Sequence, residues 1–539
     1  MKTFGLCVAL LSLFASYAIA DDQPSDGSKS SADNSAAAAA KDYFTPGSVS
    51  TSGSVSVEGA VTDYQAVAGT LVIHPKGWDD SAKPSGKDGD SDNPDAEASM
   101  FYAAYFKKGV PPGRRPVMFI YNGGPGSASV WLHMGAFGPM RVVTADDSHT
   151  PAAPYSLINN QYSLLDVSDL VFIDAPGAGF SRTEGKDKDK KFFGVDQDAH
   201  AFAEFIQQFL TKYSRWNSPK YLFGESYGTP RSAVLINQLE NDRAIDFNGV
   251  VMLSQILNFD LSPDQPELNP GVDLPYVIAL PTYAATAWYH NKLPGAKPAD
   301  LPGFLHQVEA FSTSDYLLAL QAGSGLDDAK RNAIADKLHQ YTGLPVSYIL
   351  KANLRIDGGE FEKNLQDDNG LTTGRLDTRF SGPSLDVLSK EADYDPQDSA
   401  IASAYTSAFN DYVRTTLKYP ADMQYKLFAD TDDWDFTHQP PNADSPQQGS
   451  VNVMPDLADA MKQNPNLRIM LNGGYFDLAT PYYEGWYEMH HLVIPPSLQS
   501  NIEYHYYQSG HMVYAHEPAL KELHDNVAAF VRKTDNLQK

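Results

Sequence analysis

Cysteine is all but absent from this 539-residue chain, the one exception being Cys7. Beyond that position, disulfides, thiol nucleophiles and Cys-ligated metals are excluded, and a domain of this size can be stable from its core alone. Positive charge is also scarce. With 41 Lys and Arg against 67 Asp and Glu, the net charge is −26, which repels phosphate backbones and anionic lipid and so argues against nucleic acid and membrane surfaces as partners. Long apolar runs are missing as well. Residues 4–14 fall short of the roughly 20 residues that span a bilayer. With Lys2 before them and Ala18-Ile19-Ala20 after, they read instead as an export signal (1–20), giving a mature chain from Asp21 that is periplasmic or extracellular. No Asn-x-Ser/Thr acceptor occurs, which fits a bacterial envelope or secreted protein. The run Asp430-Thr431-Asp432-Asp433-Trp434-Asp435 begins like a calcium loop but lacks the glycine at position six and the distal glutamate, so no metal is expected.

What the chain has is a core. Apolar residues make up 42% and aromatics 12%, unlike a disordered protein. Residues 21–54, rich in Ser, Ala, Asp and Gly, read as a disordered leader. Residues 71–73 and 101–106 look like strands joined by an acidic loop at 79–99. Strands at 116–121, 170–173, 221–223 and 249–253, with an amphipathic helix around 202–209, then give the rhythm of a parallel sheet with helical crossovers. From 256 to 425 the pattern turns to helical segments broken by Pro and Gly, which reads as an inserted, mainly helical cap. Strands at 467–471 and 502–507 and a closing amphipathic helix return the pattern to α/β over 426–539, to match a first core part at 55–255.

Gly224-Glu225-Ser226-Tyr227-Gly228 follows the 221–223 strand and opens a helix. In that setting it is a nucleophile elbow, with Ser226 held above the sheet edge. A serine nucleophile needs a base and a group that orients the base, which in α/β hydrolases follow in the order Ser, Asp, His. Asp477, just past the 467–471 strand, and His511, just past the 502–507 strand, have that order and that strand-end context. An oxyanion also needs donors. Asn122-Gly123-Gly124-Pro125-Gly126, after the 116–121 strand, can present one backbone N–H and Tyr227 the other.

These motifs, with Asn-Gly-Gly-Tyr-Phe-Asp at 472–477, Gly-His-Met at 510–512 and the stretch 172–181, resemble the serine carboxypeptidase family, in a bacterial-type member. The resemblance implies an α/β-hydrolase sheet, largely parallel with helices on both faces, and no cofactor. It also implies Ser226, His511 and Asp477 as nucleophile, base and orienter, and Gly124 and Tyr227 as the oxyanion hole. Asn122, Gly123 and Glu225 would receive the terminal carboxylate of a peptide. The implied activity is removal of residues from peptide or protein C-termini through an acyl-enzyme. Alternatives are a serine esterase or acyltransferase on the same scaffold, or a hydrolase-like binding module without catalysis. The chain departs from the family's habits at Ile120 (often Trp), Ser127 (often Cys) and Ala136 (often Glu). The last removes an acidic partner of Glu225.

Overall fold

The computed structural model describes residues 44–82, 93–420, 422–447 and 449–537. The export signal and the leader up to residue 43 lie outside the described residues, as does the middle of the 79–99 loop. The main strands are β1 (Ser48–Val57), β2 (Ala60–Ile73), β3 (Glu97–Lys107), β4 (Val117–Tyr121), β5 (Asp169–Ile173), β6 (Lys220–Glu225), β7 (Gly249–Leu253), β8 (Arg468–Gly474) and β9 (Ile502–Tyr507). They form one sheet in the order β1-β2-β3-β5-β4-β6-β7-β8-β9, and the short strand Arg182–Glu184 pairs with β3. From β1 to β5 the pairing is antiparallel. From β5 to β9 it is parallel throughout.

The parallel strands are apolar on both faces because both are covered. Every residue of β4, β5 and β7 is buried. Helices α1 (Val195–Lys212) and α2 (Gly228–Asn241) lie on one side, where Phe119 meets Phe209 and Tyr121 meets Phe202 at ring distances of 5.6 and 5.0 Å. On the other face the closing helix, α7 (Glu517–Thr534), packs Phe530 against Tyr221 at 6.2 Å. Register assigns the faces: Phe119 pairs with Leu222, so Tyr221 points the opposite way. This mostly parallel sheet with helices on both faces is an α/β-hydrolase fold.

Two segments differ from the sequence reading. Strand β1 begins at Ser48, inside the stretch read as leader, because alternation of exposed and covered residues lets it pair along its full length with β2. The inserted region between β7 and β8 is also divided. Residues 261–365, centred on α3 (Leu274–Tyr289), build a second apolar cluster of their own, joined by Phe476, Leu478, Tyr482 and Tyr483. By contrast α4 (Pro396–Thr415) belongs to the main core through Ile401, Tyr405, Phe409 and Tyr412, whose spacing lines one helix face. The Tyr412 hydroxyl meets that of Tyr105 on β3 at 3.0 Å. Two further helices follow, α5 (Met454–Gln463) and α6 (Tyr482–His490).

Candidate active site

The parallel register brings Glu225, Leu253 and Asn472 level at the carboxyl ends of β6, β7 and β8, the edge where open α/β sheets place their sites. Ser226 follows Glu225 with φ of +60°, a left-handed conformation that costs a non-glycine residue about 1–3 kcal/mol. Two hydrogen bonds hold it there. Its amide donates to the Leu253 carbonyl at 2.9 Å, and its carbonyl accepts from the Thr229 amide at 2.7 Å. Helix α2 begins two residues later, at Gly228.

Asp477 and His511 come together. The His511 Nδ1 donates to Asp477 Oδ2 at 2.9 Å, with Asp477 fully buried. Thr480 completes the arrangement, its amide donating to Asp477 Oδ1 at 3.0 Å and its hydroxyl to Oδ2 at 2.8 Å. Burial pushes the His511 pKa down, but the Asp477 carboxylate and the nearby Glu225 more than offset it, leaving the ring above its ordinary value. Among the described residues no hydrogen bond joins Ser226 to His511. Both groups lie at the same end of the sheet, and the Ser254 hydroxyl just past β7 donates to the His511 carbonyl at 2.6 Å.

The 122–126 loop lies against the elbow. A Cβ on Gly123 would fall 2.3 Å from the Tyr227 nitrogen, so only glycine allows this approach. The Gly124 and Tyr227 amides have no acceptor among the described residues, which leaves both N–H groups available to an oxyanion. Arg231 supports this loop from α2. Its Nη1 donates to the Asn122 carbonyl at 2.7 Å, and its Nε pairs with Asp198 Oδ2 at 2.5 Å, both side chains being essentially inaccessible.

Glu225 is buried beside Ser226. Asn122 Nδ2 donates to its Oε2 at 2.9 Å, and the Tyr514 hydroxyl donates to the same oxygen at 2.9 Å. Tyr514 thus supplies a second donor to the Glu225 carboxylate. Burial raises the Glu225 pKa, and although the charge on His511 and the Tyr514 donor oppose this, it stands at about 7. Tyr514 and Thr480 escape sequence reasoning, although each follows a candidate catalytic residue by three positions, a spacing that turns often use.

The acidic run at 430–435 forms part of a strap along the 122–126 loop. Ala128 N donates to Leu427 O and Ala429 N to Gly126 O, both at 2.8 Å, and the Trp434 ring stands edge-on to Tyr227 at 5.3 Å. His438 anchors the strap between Asp196 of α1 (2.6 Å from Nδ1) and Asp456 of α5 (2.8 Å from Nε2). Both ring nitrogens donate, so the imidazole is charged. Burial opposes that charge, but the two carboxylates raise the pKa from 6.5 to about 9. A raised folded-state pKa contributes stability that is complete below pH 6.5 and lost as pH climbs through about 9. The contribution is at most about 3 kcal/mol, because the buried Asp456 has a raised pKa of its own. Urea unfolding at pH 6 and pH 9.5 should therefore show a larger loss in wild type than in His438→Gln. Equal losses would remove the clamp.

Residues 91–260 match the family model described as serine carboxypeptidase, a stretch that holds the oxyanion loop and elbow but ends before Asp477 and His511. Serine carboxypeptidase-like 36 of Arabidopsis thaliana is 27% identical over 173 residues, 31% of this chain and 34% of the relative. The pheromone-processing carboxypeptidase KEX1 of Phytophthora infestans is 27% identical over 177 residues, 30% of this chain and 27% of the relative. Serine carboxypeptidase ctsa-3.2 of Caenorhabditis elegans is 26% identical over 181 residues, 32% and 33% of the two chains. The matches thus span about a third of these relatives' length. Over residues 91–260 the chain is therefore similar to the serine carboxypeptidase family.

Proposed function

We propose that the protein is an exported serine carboxypeptidase that releases C-terminal residues through an acyl-enzyme. Ser226 Oγ attacks the carbonyl carbon of the last peptide bond while His511 Nε2 takes its proton and Asp477 holds the opposite nitrogen. The Gly124 and Tyr227 amides stabilise the oxyanion. Collapse breaks the C–N bond, the proton passes from His511 to the leaving amine, and the C-terminal amino acid departs. Water then attacks the Ser226 ester with His511 again as base, releasing the shortened peptide. No described helix is long and apolar enough to cross a membrane. The helical insertion abuts Phe476 and Leu478, on either side of Asp477, which suits it to cap the cleft.

The observation that carries this reading is the buried glutamate next to the nucleophile, bonded to Asn122 and Tyr514. A plain esterase has no use for it. In its protonated form Glu225 can donate to a substrate carboxylate, whereas two bare carboxylates in contact repel. Peptides with a free C-terminus should react much faster than their amides, measured by mass spectrometry of a mixed pool. Efficient internal cleavage of doubly blocked peptides would overturn the proposal.

The pH dependence follows from two protons. Acylation needs neutral His511, so activity rises as pH passes the raised value of that ring. Binding of a free acid needs protonated Glu225 and weakens above about 7. For free-acid peptides KM should climb by up to about tenfold per pH unit above that point, while the KM of a blocked ester stays flat and Glu225→Gln removes the climb. A pH-independent KM for the free acid, or a climb that survives in Glu225→Gln, would show that Glu225 does not bind the carboxylate.

A further inference from the structure

Residues 374–380, from the inserted region, thread between the two loops that carry Asp477 and His511. The Arg375 carbonyl accepts from the Leu478 amide at 3.1 Å, and the Thr378 amide donates to the Phe476 carbonyl at 2.9 Å, so the segment grips the acid loop on both sides of Asp477. The next carbonyl, that of Leu376, accepts from the His511 amide at 2.6 Å. The fit is close: a Cβ on Gly510 would lie 2.4 Å from Asp377 Cβ and 2.5 Å from the Leu376 oxygen. The segment thereby joins the backbones of the two loops, beside their direct bond from the Phe476 amide to the Ser509 carbonyl at 3.0 Å.

The side chains of this segment are held by Asp264 on Arg375, Asp146 on Arg379 and Thr286 on Thr378, and its backbone at Arg375 and Leu376 by one carboxylate. Asp395 Oδ2 accepts from the amides of both Arg375 and Leu376, each at 2.7 Å, while Oδ1 caps α4 by accepting from the Asp398 amide at 2.8 Å. Because α4 is seated in the main core, the chain of contacts runs from a fixed helix through Asp395 to Leu376 and on to the His511 backbone. The geometry points to Asp395 as a positioning residue, which registers the 374–380 segment on α4 and so holds the His511 and Asp477 loops at the separation their hydrogen bond requires.

This rests on the reading of His511 and Asp477 as base and orienter. Asp395 touches neither side chain, so its removal should act on turnover and not on ground-state binding. Serine is a good helix cap but too short to reach the segment, which lets the two duties of Asp395 be separated. Asp395→Ser should therefore fold with α4 capped, yet lose about tenfold or more in kcat with KM within about twofold of wild type. Asp395→Asn, whose one oxygen can serve either the segment or the cap but not both, should fall between Asp395→Ser and wild type in kcat. Asp327→Ala, which removes the cap of the helix Asp328–Thr342 on the far part of the insertion, should leave kcat unchanged. Wild-type kcat in Asp395→Ser, or a loss expressed in KM alone, would each overturn the inference. Full activity in His511→Ala would instead overturn the catalytic reading beneath it.

Discussion

Replacing Ser226 by alanine is expected to lower peptide hydrolysis by about 10⁴- to 10⁶-fold, with no change of fold. The chemistry loses its only attacking atom, so what remains is oxyanion stabilisation and binding without a covalent path. The fold should be indifferent because the left-handed strain at φ of +60° belongs to the backbone, and alanine carries the same Cβ as serine. The two hydrogen bonds that hold the turn are backbone bonds, and both survive. A serine-directed phosphonate should label the wild type and not the variant, and thermal midpoints should agree within a few degrees. Wild-type turnover by the variant would take Ser226 out of the mechanism.

The second large effect lies beneath the oxyanion loop. Asp198→Ala should lower the unfolding free energy by about 3–5 kcal/mol, the usual result of leaving one member of a buried ion pair alone. Arg231 then keeps its hydrogen bond to the Asn122 carbonyl but has no counter-charge, and the rings around it do not replace one: Phe202 lies 4.4 Å from the guanidinium carbon and Tyr121 5.3 Å. Replacing both partners, in Asp198→Leu with Arg231→Met, should return most of the stability, because no buried charge remains. It should not return activity, because Arg231→Met takes away the donor to the Asn122 carbonyl and the loop that presents Gly124 is free to shift. Denaturant titration and kcat/KM on the wild type and the two variants separate the two roles. A loss below 1 kcal/mol in Asp198→Ala would show that water reaches Arg231.

Much of this architecture is legible in the sequence because parallel strands buried on both faces leave unbroken apolar runs. Val117–Tyr121 and Gly249–Leu253 could scarcely be anything else, and the motifs at their ends locate Asn122 and Ser226 by adjacency. The ends of β8 and β9 locate Asp477 and His511 in the same way. Other features leave no such trace. Strand β1 is mostly serine, threonine and valine, and its order comes from pairing with β2 more than from burying a face, so composition suggests a leader. Helix α4 has a clear apolar stripe, but nothing in a stripe says whether it meets the insertion or the main core. Tyr514 reaches Glu225 across almost three hundred residues of chain, and the 374–380 segment has no periodicity at all. Contacts made through backbone amides and long-range loops follow from the assembled geometry, which local patterns do not encode.

The place of the insertion has a consequence for biosynthesis. Strand β7 is complete at Leu253, yet β8, its neighbour in the sheet, starts only at Arg468. At about 5–20 residues per second, a ribosome needs on the order of ten to forty seconds to make the intervening stretch. Throughout that interval the nascent chain carries Ser226 on a sheet whose β7 edge offers unpaired N–H and C=O groups, with neither Asp477 nor His511 yet made. A half-made molecule thus exposes a strand edge open to wrong pairing, which is an aggregation hazard during synthesis.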